Sequence, residues 1–537
     1  MRSTAAPQGA TTARPAAADR PAPAPDPRRW WALAFLALAQ LATALHVTVM
    51  NIALPSAQTD LGFSDPSRQW VVTAYALTFG GLLLLGGRVS DLFGRRRTLL
   101  AGLVGFAVAA SIGGSAASAA MLVTARALQG VCAALIAPSS LGLLSLTFSH
   151  GAERSRAFAV LGAVMGTGAG IGLVTGGILT DALSWRWCLY SNVPLTAVAA
   201  AGVLRTIPPR TTPLQTVPPA PPRAGPSGPR SRIDVPGAVL ITGALAGLVL
   251  GLDRAAHAGW AAGSTRSALA VGALLLAGFV AVERRAAAPL LPLEIVIDRS
   301  RGSAYLAVLT SGIGMFAGFF FLTFYLQSVR GYTPIRTGFA FLPFSIAIMG
   351  TVRVVASTVS RVPIRSFLGV GLLAISAALA TLVRLTPTSP YLTDVLPAFL
   401  LLGIGVGAVM TPANDAATRD AGTHTGVAGA AVTTHQQVGA ALGTALLSAI
   451  AASATSGVGL GATVHGYNVA SAWGAALVLL GAVLVVLVAG PAPKTPPEDP
   501  GDAEGPDDAD DPAHRRRHPP PSATPDAAAP LPRAGAA

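Results

Sequence analysis

Lysine is all but missing from this chain: Lys494 is the single example, and the other 36 of the 37 basic residues are arginine. Cysteine occurs twice, at Cys132 and Cys188, which excludes a disulfide framework and a cysteine zinc site. Charged residues make up only 11%, and nine of the 24 carboxylates fall after residue 490. A soluble protein could not cover its surface with so few charges. The chain is instead 52% hydrophobic with a mean hydropathy of +0.57, the composition of a membrane protein. A net charge of +13 would elsewhere suggest nucleic acid as a partner. Here the arginines cluster between apolar runs, where they anchor loops at a membrane face, so no nucleic acid is expected. There is no H-E-x-x-H, no pair of intramembrane aspartates, no G-x-S-x-G at a strand–helix turn and no Walker A motif. An enzyme, a metal site, a cofactor and ATP-driven pumping are therefore not expected. The arginine bias, with heavy use of Ala, Gly and Pro, suggests a GC-rich bacterial coding sequence and hence a bacterial cell membrane.

A membrane-crossing helix needs about 20 apolar residues. Fourteen runs meet that length, near 30–54, 69–88, 98–117, 121–146, 156–180, 188–205, 234–252, 267–283, 303–329, 335–357, 366–384, 391–415, 425–451 and 470–490. The first is too long for a signal peptide, and no small-residue cleavage site follows it. Residues 1–29, 206–233 and 491–537 are rich in Pro, Ala or charge, and are expected to be disordered cytoplasmic tails and a loop. Arginines crowd the loops after spans 2, 4, 6, 8 and 10, from Arg95–Arg97 to Arg361 and Arg365, and are sparse in the odd-numbered loops. The positive-inside rule then places both termini in the cytoplasm, in agreement with an even span count.

Span 2 ends in GGRVSDLFGRRRTLL (86–100) and span 10 in VASTVSRVPIRSFL (355–368), which share an Arg, a turn-former and a second Arg in register. This faint repeat suggests matching six-helix bundles at 30–205 and 303–490, with 234–302 supplying two inserted helices and a linker. Paired halves are what an alternating-access transporter needs, with its substrate site at their interface. The fold expected is an all-α membrane bundle of fourteen spans.

Several polar stretches interrupt the spans. In Gly87-Arg88-Val89-Ser90-Asp91-Leu92-Phe93-Gly94-Arg95-Arg96-Arg97, Gly94 permits a tight turn and Asp91 can pair with an arginine or face a helix N-terminus. Such a clasp could lock two helices in one conformation and release them in another. LVTARALQGVCAA (122–134) holds Arg126, Gln129 and Gly130 in an apolar run. A charge there costs about 3 kcal/mol, which marks Arg126 as functional and cavity-facing. In GTGAGIGLVTGGIL (166–179), Gly166 and Gly170 continue a four-residue ladder from Gly162, while Gly168, Gly172 and Gly176 form another beside Gly177; small residues so spaced let helices approach and slide. These three stretches resemble the loop 2–3, span 4 and span 5 motifs of the major facilitator superfamily. LSWRWCLYSNVP (183–194), NIALP (51–55) and FYLQ (324–327) resemble its fourteen-helix drug:proton antiporters, and the likeness covers about residues 30–490. Leu92 and Leu173 depart from the family pattern, where a basic residue and a proline are usual. The resemblance implies proton-coupled export of small hydrophobic organic compounds, such as an antibiotic or related metabolite, by a monomer without a cofactor. A proton-coupled nutrient importer and a membrane sensor or scaffold are the competing readings.

The proton could be carried by His46, Asp91, Arg126, His435 or Asp415. At about 100° per residue, Gln40, Thr43, His46 and Asn51 share one polar face of span 1, expected to be a cavity wall, and the resemblance implies that relatives carry an aspartate at the position of His46. An unperturbed imidazole titrates near pH ~6.5, within the physiological range. Gln129, Gln436 and Gln437 are further candidates for the substrate cavity. The topology is open to test: reporters fused at Pro221 and after residue 500 should both register the cytoplasm, and an external signal from either would break the fourteen-span scheme.

Overall fold

The computed structural model describes residues 28–148, 151–208, 234–286, 289–291, 293–358, 361–418, 425–457 and 459–489. The two tails, up to residue 27 and from residue 490, and most of the loop expected at 206–233 lie outside them. Every described element is helical. In chain order they are α1 (Arg28–Leu61), α2 (Asp65–Phe93), α3 (Arg95–Gly114), α4 (Ala119–Thr147), α5 (Gly151–Ala182), the short α6 (Trp187–Tyr190) running into α7 (Asn192–Thr206), α8 (Val235–Ala258), α9 (Gly263–Glu283), the short α10 (Leu293–Ile297), α11 (Arg299–Phe324), α12 (Pro334–Ala340), α13 (Leu342–Thr358), α14 (Ile364–Leu382), α15 (Leu396–Thr418), α16 (Thr425–Ala454) and α17 (Leu460–Val488).

Thirteen described stretches are long and apolar enough to cross a membrane. The remaining expected span is α5, a helix of 32 residues whose apolar stretch Gly170–Ala182 is described. Several spans are not uniform helices. α11 ends in a π-helical turn (Tyr325–Val329), and another (Tyr391–Val395) precedes α15. Span 10 breaks at Phe341 into α12 and α13, next to Pro343. α1 continues past the expected end at 54, through Pro55 to Leu61, because only Pro55 lacks a backbone donor and the polar residues after it still reach helical carbonyls.

The packing pattern recurs along the chain. In the first six spans α1 lies against α5 and α7, α2 against α4, and α3 against α4 and α7. In the last six α11 lies against α16 and α17, α13 against α15, and α14 against α15 and α17. Span for span, these are the same pairings. The two groups then meet reciprocally: α2 packs on α16, and α5 packs on α12 and α13. The second span of each group thus meets the fifth of the other, as a two-fold relation requires. α8 and α9 pair with each other, and α8 lies over both α2 and α16.

Glycines set the close approaches. α2 and α4 touch at Gly86, where a Cβ would stand 1.9 Å from the Ala134 carbonyl oxygen, and at Gly130, where it would stand 2.0 Å from Thr78 Oγ1. Thr78 Oγ1 donates to the Ala127 carbonyl (2.9 Å) and Ser139 Oγ to Ser90 Oγ (2.9 Å), the polar bonds that join helices where lipid gives no hydrophobic drive. At Gly87 the nearest atom to a Cβ is Pro138 Cβ at 3.8 Å. Gly86→Ala should therefore destabilise the protein by about 1–3 kcal/mol through overpacking, whereas Gly87→Ala should be nearly neutral. Thermal unfolding in detergent checks this; equal melting temperatures for the two variants would refute it.

Candidate functional site

The short loops that follow α1, α5, α11 and α16 lie at one end of the bundle, called here the far end; the end carrying Gly94 is the tail end. About two turns in from the far end of α4, Arg126 is 1% exposed. Burying a guanidinium there requires partners in every direction, and it has them. Its Nε donates to the Val71 carbonyl oxygen of α2 (2.8 Å) and its Nη1 to Gln129 Oε1 (3.3 Å). Nη1 also meets His46 Nε2 of α1, and the guanidinium carbon lies 4.6 Å from the centre of the Tyr75 ring. Hydrogen bonds to a charged group are worth about 1.5–3 kcal/mol each, and a desolvated cation–π contact about 2, so together they offset the penalty of placing the charge.

His46 is held as tightly. Its ring packs edge-on against Phe106 (5.2 Å between centroids) and tilted against Tyr75 (5.6 Å), and Asn192 Nδ2 lies 3.2 Å from its Nδ1. Asn192 Nδ2 gives its two hydrogens to the carbonyls of Cys188 (3.1 Å) and Leu189 (3.3 Å), a bridge across the break between α6 and α7, so toward the ring it is a packing neighbour. Arg126 has only donors, so Nε2 offers it a lone pair. A proton on Nε2 and Arg126 at this position exclude each other. Protonating the ring at Nε2 therefore requires the guanidinium to move away from it.

The expectation of a cavity wall on α1 needs correction. Gln40, Thr43, His46 and Asn51 are all buried, and His46 lies inside the bundle among α1, α2, α3, α4 and α7. Arg126 and Gln129 are buried with it, so neither faces an open cavity in this conformation. Helical periodicity identifies the residues on one side of a helix, not the neighbour that covers them. Asn51 Nδ2 and Gln129 Nε2 are buried without a hydrogen-bond partner. The other candidates sit elsewhere. His435 on α16 stacks on Tyr305 (4.8 Å, 10° between planes), with its Nδ1 2.7 Å from the Ala431 carbonyl oxygen. Gln436 is half-buried; Gln437 is buried against Gly80 of α2. Asp415 lies half-buried near the end of α15.

The loop after α2 is compact. Gly94 adopts a φ of 93°, which favours glycine. Asp91 pairs with Arg95 one turn on (3.1 Å), while Arg95 Nη1 donates to the Gly142 carbonyl of α4 (2.9 Å) and Arg96 Nη2 to the Leu204 carbonyl of α7 (3.1 Å). These bonds rivet the tail end of α3 to those of α4 and α7, with α2 tied on through Asp91. Along α5, Gly168, Gly172 and Gly176 face α1, and Gly170 and Gly177 face α13 and α12; a Cβ on Gly177 would stand 2.6 Å from the Pro334 carbonyl oxygen. The side of Gly166 is not described.

The two groups of six spans are sealed together at the far end. Gln327 Nε2 donates to the Ile52 carbonyl (2.9 Å), and Gly338 lies against the Leu173 backbone. Arg68 of α2 donates to Tyr467 Oη of α17 (2.9 Å), with its guanidinium carbon 3.8 Å from the Phe324 ring centre on α11. Sequence reasoning missed Arg68 and Asn192. Asn192 did carry a signal, as a polar residue inside the otherwise apolar start of span 6.

A bundle of paired six-helix groups around a buried titratable ring and cation defines a secondary transporter. The Major Facilitator Superfamily profile matches residues 36–444, and the chain belongs to that family. It is 45% identical to the puromycin resistance protein of Streptomyces alboniger, over 86% of this chain and 91% of that one. It is 37% identical to the cephamycin export protein of Amycolatopsis lactamdurans (87% and 94%) and 34% identical to the tetracenomycin C resistance and export protein of Streptomyces glaucescens (79% and 76%). Among solved structures, the nucleoside transporter NupG superposes with a TM-score of 0.60 over 86% of this chain and 100% of its own, at 11% identity, a likeness of fold alone.

Arg126 makes its bonds through a planar fork that an ammonium cannot reproduce. Arg126→Lys should leave the protein in the membrane but lower its export rate about tenfold or more, since a single lost charge-assisted bond is worth a factor of ten. Wild-type export by a well-expressed Arg126→Lys variant would return Arg126 to a packing role.

Proposed function

We propose that this protein exports antibiotic-like small organic molecules across the cell membrane in exchange for protons, by alternating access. The observation that carries the proposal is the buried His46–Arg126 pair inside a far-side-sealed bundle, in a chain whose relatives are named as antibiotic resistance and export proteins. The rocking bodies are residues 30–205 and 303–490, with both tails cytoplasmic and the far end outside. A transporter sealed at its far end is in the form that takes up substrate from the tail side. Antiport then needs the proton released in this form and bound in the other. The contact with Arg126 supports that order, because it occupies Nε2 here and must be withdrawn before a proton can take its place.

The driving force is adequate. A proton crossing about 100 mV yields about 2.3 kcal/mol, and each pH unit adds about 1.4. One proton can therefore sustain a gradient of tens- to hundreds-fold. Residues 1–29, 206–233 and 491–537 are not needed for this cycle, and a monomer without cofactor suffices.

Substrate charge follows from the carrier. An aspartate would let a cationic drug compete with the proton for one negative charge, whereas a histidine repels that cation when protonated and gives it no counter-charge otherwise. Neutral or weakly acidic compounds are the preferred substrates. Accumulation in cells expressing the wild type, His46→Ala or His46→Asp should be measured on a dye cation and on a neutral or acidic drug, with and without an uncoupler. Wild type should favour the neutral or acidic drug and lose that export with the uncoupler. Alanine should abolish uncoupler-sensitive export, and aspartate should shift preference toward the cation. A wild type that favours the cation, or an alanine variant with intact proton-driven export, would overturn the assignment of His46.

A further inference from the structure

The hairpin of α8 and α9 is an insertion between the two groups of six spans, and α8 touches one helix from each, α2 and α16. Its two contacts are unlike. Toward α2 it is tied by polar bonds near both ends. At the far end, Asp253 Oδ1 of α8 accepts from Gln69 Nε2 (3.1 Å) and Trp70 Nε1 (2.8 Å). At the tail end, Arg88 of α2 donates to the Pro289 carbonyl just past α9 (3.1 Å). That short segment is fixed to the hairpin by Glu283, whose carboxylate accepts from the Leu290 and Leu291 amides (3.2 and 3.4 Å). Between the two ties α2 and α8 come close at Gly81, where a Cβ would stand 3.5 Å from Thr242 Cβ.

Toward α16 the contact is apolar. Leu245 and Val249 of α8 share a buried cluster with Ala440, Ala441 and Ala445. Among the described residues no hydrogen bond or ion pair joins α8 or α9 to α16. The hairpin is also a unit in itself: a Cβ on Gly247 would stand 3.0 Å from Gly272 Cα, and Gly251 lies against Leu269.

We infer that the inserted hairpin moves with the first six spans as part of their rigid body, and that the sliding surface is α8 against α16. The inference rests on the alternating-access reading above. Carrying the hairpin with the other body would break the Asp253 and Arg88 bonds at its two ends together, and separate the close α2–α8 approach at Gly81. Sliding α8 over the alanine face of α16 breaks no polar bond. The hairpin thus stays over the α2–α16 seam as a shield against lipid while the seam changes shape.

Two disulfides test this in a background of Cys132→Ser and Cys188→Ala. Gly81→Cys with Thr242→Cys locks α8 to α2, at a Cβ spacing that suits a disulfide. Gly170→Cys with Ser345→Cys locks α5 to α13 across the two bodies, where a Cβ on Gly170 would stand 3.0 Å from Ser345 Cβ. Export is measured in membrane vesicles before oxidation, after oxidation and after reduction, so each variant reports its own folding, and cross-linking is quantified by thiol labelling. The α8–α2 lock should leave most of the export rate, while the α5–α13 lock should lower it about tenfold or more, reversibly. Arrest by the α8–α2 lock beside arrest by the α5–α13 lock would overturn the hairpin assignment alone. Continued export through a complete α5–α13 lock would overturn alternating access between these bodies, and the hairpin assignment with it.

Discussion

The charge on Arg126 is the constraint around which the first six spans are arranged. A guanidinium inside an apolar bundle must be surrounded by acceptors or driven out to the surface. Here the acceptors come from three helices: the Val71 carbonyl of α2, Gln129 on α4 itself and the His46 ring of α1. Tyr75 covers its face, and Phe106 of α3 and Asn192 of α7 pack against His46. A single side chain thereby fixes how α1, α2 and α4 meet. Any change in its position is felt by all of them, which is the property a coupling residue needs.

Around that fixed centre the remaining contacts divide into those that rivet and those that can slide. The rivets are polar: Ser139 to Ser90, Thr78 to the Ala127 carbonyl, and Arg95 and Arg96 to the carbonyls of Gly142 and Leu204. At the far end Asp60 accepts from Trp185 Nε1 (3.0 Å) and Arg186 Nη1 (2.5 Å), tying α1 to the α5–α6 turn. All of these join helices of one group. Across the groups the close approaches are mainly glycine on backbone, as at Gly177 and Gly338, with Arg68 and Gln327 adding polar bonds at the far end. Gly80 and Gly81 put the division on one helix: the first faces α16 and the second faces α8.

Much of this was legible in the sequence because membrane insertion is a one-dimensional property. An apolar run of sufficient length is a span whatever it packs against, so the helices could be placed and the odd residues within them, His46, Arg126 and His435, stood out. Their partners could not be read in the same way. The acceptor for Arg126 on α2 is a backbone carbonyl, which any residue at position 71 would supply. Asn192 meets His46 from 146 residues away in the chain. The polar face of α1 was visible, but its cover of Phe106, Tyr75 and Asn192 was not, so a face expected to line a cavity proves to be buried. The arginine at position 68 gave no signal of its own; only the fold shows it over the Phe324 ring and bonded to Tyr467 Oη.

The pairing of a histidine, and not a carboxylate, with Arg126 has an electrostatic consequence. A carboxylate and an arginine attract while the carrier is empty, and protonation removes the attraction. No carboxylate stands among the partners of Arg126 shown here, so with His46 neutral the cluster already carries one positive charge. Protonation adds a second. Two like charges about 4 Å apart at an effective dielectric of about 20 repel by about 4 kcal/mol. That is comparable to the energy a proton delivers in crossing the membrane, so the repulsion is large enough to move Arg126 and small enough for the proton gradient to supply. On the reading proposed above, the proton would work by pushing the arginine away instead of by releasing it. On the same reading the buried cluster gains a second positive charge when the proton binds, which disfavours a cation nearby and favours an anion.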